Sequence, residues 1–319
     1  MKKTILLATM TGLAVLTLSA QKPALVLPTI HSRPILQVCF SADNRFMATC
    51  AGTEEIKLWE QKTGRLIRTV QTPLPVSNIS LSKDGARLVC GTYPGVSEYT
   101  ESADGVKPDI NTEVQVWDMV SGKKLRTLKA LGQPIRIEHV EISDDGNLAL
   151  ATFKEQITVW DVRSGAEKWT IEGWGIGDFC PDGANLLLNQ NGTLSLVDCN
   201  NGQQTPILND SCALYACQGD AVVMLTKGMV LKRWDIRSKS FSAEVAVGLE
   251  ADYFGSYPGQ DIRFSQDGTQ LGVLNTVDFN TEETYGVRWQ FRSFDANTGK
   301  FLTKRDTMEY DNGWGFLTP

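Results

Sequence analysis

A short motif recurs six times along the chain, and it constrains the fold more than any other feature. Its clearest copies place a Trp-Asp or Trp-Glu pair a few residues before a Ser-Gly or Thr-Gly pair, at Trp59–Gly64, Trp117–Gly122 and Trp160–Gly165. Weaker copies begin at Val197, Trp234 and Phe294. Self-similarity at a spacing of about 40 residues indicates a repeat architecture in which each copy is one structural unit.

A second motif, a polar turn, precedes the copies of the first. It is found at Ser41–Asn44, Ser82–Gly85, Ser143–Gly146, Cys180–Gly183 and Ser265–Gly268, with a remnant at Gln218–Asp220. The Ser and Asp side chains of such turns can bond the local backbone, and Gly or Asn accepts a positive φ, which is typical of hairpins. Short runs of strand-forming residues lie between the turns, four in each unit, and no segment shows a sustained helical period.

These units predict an all-β fold, a β-propeller of four-stranded antiparallel blades. One unit cannot bury both of its faces, so neighbouring units must stack around an axis. A single domain over 21–319 is expected, with repeats near 31–70, 71–128, 129–171, 172–208, 209–247 and 248–308. Six blades are favoured; seven is the alternative, because Ala24–Thr29 and Glu309–Pro319 could add strands.

On these motifs the chain resembles the WD-repeat family, roughly from Pro34 to Met308. The resemblance implies a propeller that acts as a non-enzymatic protein-interaction scaffold. It also implies a hydrogen-bonded set in the first repeat, formed by His31, Asp43, Thr49 and Trp59. Structural roles are expected for the repeat residues, in packing between blades and in turns: Trp59, Trp117, Trp160, Trp234, Asp118, Asp161, Asp235 and Asp295.

The first twenty residues predict export. Lys2 and Lys3 precede an apolar run from Ile5 to Leu18, and Ala20 offers a small residue for cleavage. The run is short for a membrane span, which needs about 20 apolar residues, although an uncleaved anchor is the alternative. We therefore expect a signal peptide at 1–20, a bacterial-type exported protein in the periplasm or outside the cell, and no membrane span after cleavage.

The composition argues against several function classes. With 37 acidic and 31 basic side chains, the chain has no electrostatic reason to bind nucleic acid. The seven cysteines are too few for a disulfide scaffold, and most of them are expected to be free, buried thiols. Two histidines exclude a His-rich metal site, and no nucleophile, phosphate-loop or Cys-x-x-Cys motif is present.

The interpretation therefore includes no catalytic residue, cofactor or metal. The alternative is a propeller enzyme, either a hydrolase or a quinone-dependent oxidoreductase. Asp161–Trp169 and Asp295–Lys304 partly match the repeats of the quinone-dependent class. No sequence feature indicates a carboxylate or metal cluster in the central channel. A Ca²⁺ site at Asp104, Asp109 and Glu113 is a further alternative.

Three acidic and aromatic excursions supply the candidate binding site. Tyr93–Thr112, Gly248–Gln260 and Asn275–Gly286 are insertions or connections that a propeller would place on one face, where loops commonly bind partners. The candidates for binding a protein or peptide partner, expected to be basic, are Tyr93, Tyr99, Glu101, Asp104, Tyr253, Phe254, Tyr257, Asp278, Phe279, Glu282 and Glu283. Solvated hairpins without a binding role are the alternative.

Overall fold

The structure, a computed structural model, describes residues 31–41, 43–93, 112–129, 137–154, 156–209, 212–246, 261–265, 267–280 and 285–310. The regular structure in this part of the chain consists of strands, which form six antiparallel sheets of four. In each sheet the strands follow one another in chain order. The predicted fold class is therefore confirmed. Within the described ranges there is no helix of the length and apolarity that a membrane span requires.

The strands of the six sheets have the following bounds. Sheets 1 and 2 contain β1 (Gln37–Phe40), β2 (Phe46–Cys50), β3 (Glu55–Glu60), β4 (Arg65–Gln71), β5 (Val76–Leu81), β6 (Arg87–Thr92), β7 (Val114–Asp118) and β8 (Lys123–Leu128). Sheets 3 and 4 contain β9 (Ile137–Ile142), β10 (Leu148–Phe153), β11 (Gln156–Asp161), β12 (Glu167–Glu172), β13 (Ile176–Phe179), β14 (Asn185–Gln190), β15 (Thr193–Asp198) and β16 (Gln204–Leu208). Sheets 5 and 6 contain β17 (Cys212–Gln218), β18 (Ala221–Thr226), β19 (Val230–Asp235), β20 (Ser240–Ala246), β21 (Asp261–Phe264), β22 (Gln270–Asn280), β23 (Tyr285–Asp295) and β24 (Phe301–Tyr310).

The polar turns connect the first and second strands of the sheets. In sheet 2, the Ser82 hydroxyl donates to the Asp84 carboxylate over 2.8 Å, and that carboxylate accepts the Ala86 N–H at 2.9 Å. Gly85 has a φ of 71°, which a residue without Cβ adopts at little cost. The predicted role of these motifs as hairpin turns with a positive φ is confirmed.

Apolar side chains fill the spaces between consecutive sheets. One buried cluster joins Ile56 and Leu58 of sheet 1 to Leu88 and Trp117 of sheet 2, and four further clusters join the later pairs of neighbours. The first strands of neighbouring sheets contact one another: β1 contacts β5, and β9 contacts β13. Fourth strands such as β8 and β16 are largely exposed. The first strands therefore surround a common channel, as in a β-propeller.

All seven cysteines are free thiols, five of them buried. Cys50 and Cys90 lie in the core between sheets 1 and 2. Burial raises the pKa of Cys90 to about 12, so this thiol stays protonated. It therefore behaves as a small apolar side chain rather than as a nucleophile.

The sixth sheet differs from the prediction in the length of its strands. The segment Asn275–Gly286 was expected to be an insertion loop, but β22 continues to Asn280 and β23 begins at Tyr285, so most of it is a β-hairpin. β24 extends from Phe301 to Tyr310 and pairs with β23 along its length. The added residues continue the ladder because they include strand formers such as Val277 and Val287. The predicted segments 1–20, 24–29 and 311–319 lie outside the described residues.

Candidate functional site: the central channel and its openings

Two cavities lie along the channel between the first strands. The start-side cavity, about 670 Å³, lies where these strands begin and is lined by Leu36, Asn78, Tyr93, Glu138, Trp174 and Ile176 among others. The turn-side cavity, about 630 Å³, lies where they end, and its lining includes Phe40, Asp144, Asp178, Tyr215 and Arg263. The channel is therefore accessible at both ends of the first strands.

Large apolar side chains are exposed around the start-side cavity. Leu36 is 60% exposed, Trp174 45% and Ile176 41%. The indole N–H of Trp174 donates a hydrogen bond to the Glu138 carboxylate, which fixes the ring beside an acidic group. We call Leu36, Tyr93, Glu138, Trp174 and Ile176 the rim. A set of exposed apolar side chains next to a polar residue, here Glu138, is typical of a protein-binding surface.

Three side chains that can ligate metals converge inside the channel. His139 and Glu141 are two residues apart on β9 and point the same way, and Asp178 lies on β13 in the next sheet. Their ligand atoms all lie within 4.8 Å of one another. His139 Nε2 is 3.7 Å from Glu141 Oε2. Among the described residues, neither atom has a hydrogen-bond partner, although both are buried.

The electrostatics of this channel cluster, His139, Glu141 and Asp178, disfavour charge on Glu141 and His139. Burial, and then the Asp178 carboxylate beside it, raises the pKa of Glu141 well above its usual range. Burial lowers the pKa of His139, which favours the neutral imidazole. The Arg263 guanidinium lowers both pKa values and so offsets part of the negative charge. A largely buried pair of carboxyl groups at this distance favours binding of a proton or a cation that neutralises part of their charge.

Tyr215 of β17 closes one side of the cluster. Its hydroxyl donates to the Ile176 carbonyl at 2.8 Å. Burial and then the neighbouring Asp178 charge raise the pKa of Tyr215 well above 10, so the phenol keeps its proton. The cluster therefore has first strands from three successive sheets as its walls.

The predicted hydrogen-bonded set of the first repeat forms without Asp43. The Thr49 hydroxyl is 2.6 Å from His31 Nε2 and accepts the indole N–H of Trp59 at 2.8 Å. Asp43 instead bonds Ser41 and Arg45. Including Asp43 was wrong because it lies in the turn before β2, whereas Thr49 is near the other end of that strand, about 20 Å away in extended chain. Burial lowers the pKa of His31, so its ring is held neutral.

The repeat Trp and Asp residues occupy recurring positions. Trp117, Trp160 and Trp234 are buried, and their sheets each contain a bulge immediately before the Trp in the pairing with the fourth strand. The repeat Asp carboxylates accept backbone N–H groups in the following turn, as Asp118 does from Val120 and Ser121 at 2.8 Å. Asp161, Asp235 and Asp295 make equivalent bonds. Trp59 is partly exposed.

Of the partner-binding candidates, Tyr93 is the one whose side chain the structure describes. It lines the start-side cavity, and its hydroxyl donates to the Gly52 carbonyl at 3.4 Å. Asp278 and Phe279 lie on β22, where their backbones pair with Val287 and Gly286. The other candidates lie outside the described residues: Tyr99, Glu101, Asp104, Tyr253, Phe254, Tyr257, Glu282 and Glu283. The Ca²⁺ alternative is also untested, since Asp104 and Asp109 are outside too.

Sequence reasoning missed the channel cluster and most of the rim. The sequence analysis found no feature that indicates a carboxylate or metal-type cluster in the channel, yet the structure brings three such side chains together there. A signal was available, because the first strand of each repeat faces the channel and β9 carries His139 and Glu141 at a two-residue spacing. The first strand of the next repeat carries Asp178. Reading these strands together would have brought the three residues to one place.

The fold and the channel define the class of protein, a blade-based β-propeller with a central channel. No family model matches the chain. It is similar to the COMPASS component SWD3 of Saccharomyces cerevisiae, with 22% identity over 139 residues that cover 44% of this chain and 39% of that protein. It is also similar to the WD repeat-containing protein WDS homolog of Arabidopsis thaliana, with 26% identity over an alignment of 159 residues, 41% of this chain and 30% of that protein.

A third relative is the eukaryotic translation initiation factor 3 subunit I of Scheffersomyces stipitis. The identity is 36% over 59 residues, which cover 18% of this chain and 17% of that protein. The chain therefore spans at most about two fifths of the length of these relatives. The distant similarity to these proteins, one of them named as WD repeat-containing, and the four-stranded antiparallel sheets are both consistent with a WD-repeat β-propeller.

Proposed function

We propose that this protein is a non-enzymatic interaction scaffold that binds a protein or peptide partner at the rim of the start-side cavity. The observation that carries the proposal is the exposure of Leu36, Trp174 and Ile176 around an opening of about 670 Å³. Removing apolar surface from water lowers the free energy, so a partner that covers these side chains is stabilised by the hydrophobic effect. Aromatic anchors of this kind commonly contribute most of the binding free energy in protein interfaces.

The relatives support a scaffold role by their names. One is a component of COMPASS, and another is a subunit of a translation initiation factor. Each name thus describes part of an assembly. For this chain, we propose membership of an assembly, and the names of the relatives do not identify its partner.

A basic group of the partner is expected to lie beside Glu138. This carboxylate stands at the opening, where it bonds Trp174. In sequence, the blade-two segment that follows Tyr93 contains Glu98, Glu101, Asp104 and Asp109 and a single basic residue, Lys107. Opposite charges across an interface accelerate association and select partners, and their effect decreases with salt.

The test is a quantitative capture experiment with matched variants. We expect Trp174→Ala to weaken partner binding about 30-fold, or about 2 kcal/mol, because it removes an exposed anchor of the rim. The control is Phe241→Ala, which removes an aromatic side chain of similar exposure (50%, against 45% for Trp174) from the outer strand β20. Binding would be measured with the purified partner, recovered by pull-down from the compartment in which the protein resides.

A second variant tests the charge. Glu138→Gln should reduce the salt dependence of binding while leaving the apolar contacts in place. Equal losses for Trp174→Ala and Phe241→Ala, or no loss for either, would refute the rim as the binding site. Shortening 94–111 to a tight turn then tests whether the blade-two segment contributes.

We further propose that the protein is exported and loses residues 1–20. The support is the basic start, the apolar run from Ile5 to Leu18 and the small Ala20. The intact mass of the protein recovered outside the cytoplasm should correspond to a chain that begins at Gln21. A chain that still begins at Met1, recovered in the membrane fraction, would support the uncleaved anchor instead.

A further inference from the structure

We propose that His139, Glu141 and Asp178 form a binding site for a divalent transition metal of the zinc type inside the channel. The proposal goes beyond the scaffold function and does not depend on it. The donor set is one imidazole nitrogen and two carboxylate oxygens, which suits zinc and its neighbours. Calcium and magnesium prefer sites made of oxygen alone.

The separations of the donor atoms suit a common ion. Zinc bonds of about 2.1 Å at a tetrahedral angle place two ligand atoms about 3.4 Å apart. His139 Nε2 and Glu141 Oε2 are 3.7 Å apart, and the Asp178 oxygen is within 4.8 Å of both. Small side-chain rotations therefore bring all three onto one ion. Because β9 and β13 belong to packed neighbouring sheets, the fold holds the ligands on a rigid support.

The unsatisfied atoms of the cluster point to a ligand. Among the residues described, neither Nε2 of His139 nor Oε2 of Glu141 has a hydrogen-bond partner, and both atoms are closed off from solvent. Buried polar atoms without partners are rare in native proteins and require an explanation. A cation between the two would satisfy both atoms at once.

Nε2 is the imidazole nitrogen that faces the cluster. It is 3.7 Å from Glu141 Oε2 and has no hydrogen-bond partner among the described residues. A metal-bound histidine ligates through one ring nitrogen while the other donates its proton to a neighbouring acceptor. Nε2 is therefore the nitrogen that we expect to bind the ion.

The cavities leave a route to the ion. His139 lines the start-side cavity, whereas Glu141 and Asp178 line the turn-side cavity. With three protein ligands, a tetrahedral ion would have a fourth coordination position for a water molecule or a small anion from the channel. Arg263 and Tyr215 line the turn-side cavity together with Glu141 and Asp178. The competing arrangement is a proton shared by the two carboxyl groups, with no affinity for metal.

The test uses the full chain, freed of metal by a chelator and titrated with Co²⁺, whose visible spectrum reports its ligands. We expect one Co²⁺ per chain, displaced by Zn²⁺. Glu141→Gln and Asp178→Asn should each weaken binding about 100-fold or more, since loss of even an outer-shell partner costs about 10–100-fold. Asp144→Asn is the matched control, because Asp144 lines the same cavity but lies outside the cluster.

Circular dichroism and the melting temperature without metal establish that each variant is folded. His139→Gln replaces any carboxylate variant that fails this criterion, and native mass spectrometry gives the stoichiometry of the unaltered chain. The proposal is overturned if the unaltered chain binds no Co²⁺, or if the cluster variants bind as tightly as Asp144→Asn. The shared proton would then account for the cluster.

Discussion

Replacement of Trp160 by Ala should lower the free energy of unfolding by about 3–5 kcal/mol, the usual cost of truncating a buried aromatic side chain. Trp160 is fully buried, donates its indole N–H to the Lys129 carbonyl at 3.1 Å and packs edge-on against Phe153. It belongs to the cluster that joins sheets 2 and 3. The cavity would therefore weaken the contact between two sheets, which urea denaturation would measure.

The control for this substitution is Trp174→Ala, which removes the same side chain from an exposed position. A surface replacement should change the free energy of unfolding by about 1 kcal/mol or less. Equal effects of the two substitutions would contradict the assignment of Trp160 to the core. The same control shows that any loss of partner binding by Trp174→Ala is not a loss of folding.

Replacement of Thr49 by Val should lower the free energy of unfolding by about 2–3 kcal/mol. The hydroxyl accepts from Trp59 and bonds His31 Nε2, and Thr49 is 1% exposed. Val keeps the shape but leaves the indole N–H and the imidazole nitrogen without this partner. An unsatisfied buried group costs about 1–3 kcal/mol, and because His31 and Trp59 are only partly buried, each is expected to contribute the lower part of this range. Denaturation by urea again gives the measurement.

A matched substitution distinguishes the loss of the Thr49 hydrogen bonds to Trp59 and His31 from the general cost of replacing a buried Thr by Val. Thr158 is also buried, but its hydroxyl bonds Thr170, which is exposed and can bond water instead. Thr158→Val should therefore cost about 1 kcal/mol or less. In a double-mutant cycle, Thr49→Val and Trp59→Phe should be strongly non-additive, because both remove the same hydrogen bond. Additive effects would show that the Thr49–Trp59 bond contributes nothing.

The fold could be predicted because its signals are local and repeated. A turn such as Ser82–Gly85 needs only its own side chains and one residue that accepts a positive φ, so its sequence is sufficient to predict it. Trp117 and Trp160 recur at the same place in each unit and mark the ends of third strands. The length of β22 and β23 was harder to predict, because a long hairpin and an insertion loop can have the same amino-acid composition.

The channel cluster could not be predicted in the same way. Asp178 meets His139 and Glu141 only because sheets 3 and 4 place their first strands side by side. The rim has the same origin, since Leu36 and Trp174 come from repeats that are distant in the chain. Such sites depend on how the units are arranged, whereas the motifs describe one unit at a time.

Amide hydrogen exchange of the chain, with and without its partner, tests the proposed function most directly. Binding at the rim should slow exchange at the beginnings of β5, β9 and β13, whose residues Asn78, Glu138 and Ile176 line the start-side cavity. The outer strands β8 and β20, and the turn that contains Asp144, should exchange at unchanged rates. Protection confined to the outer strands or to that turn would contradict the account and place the partner elsewhere.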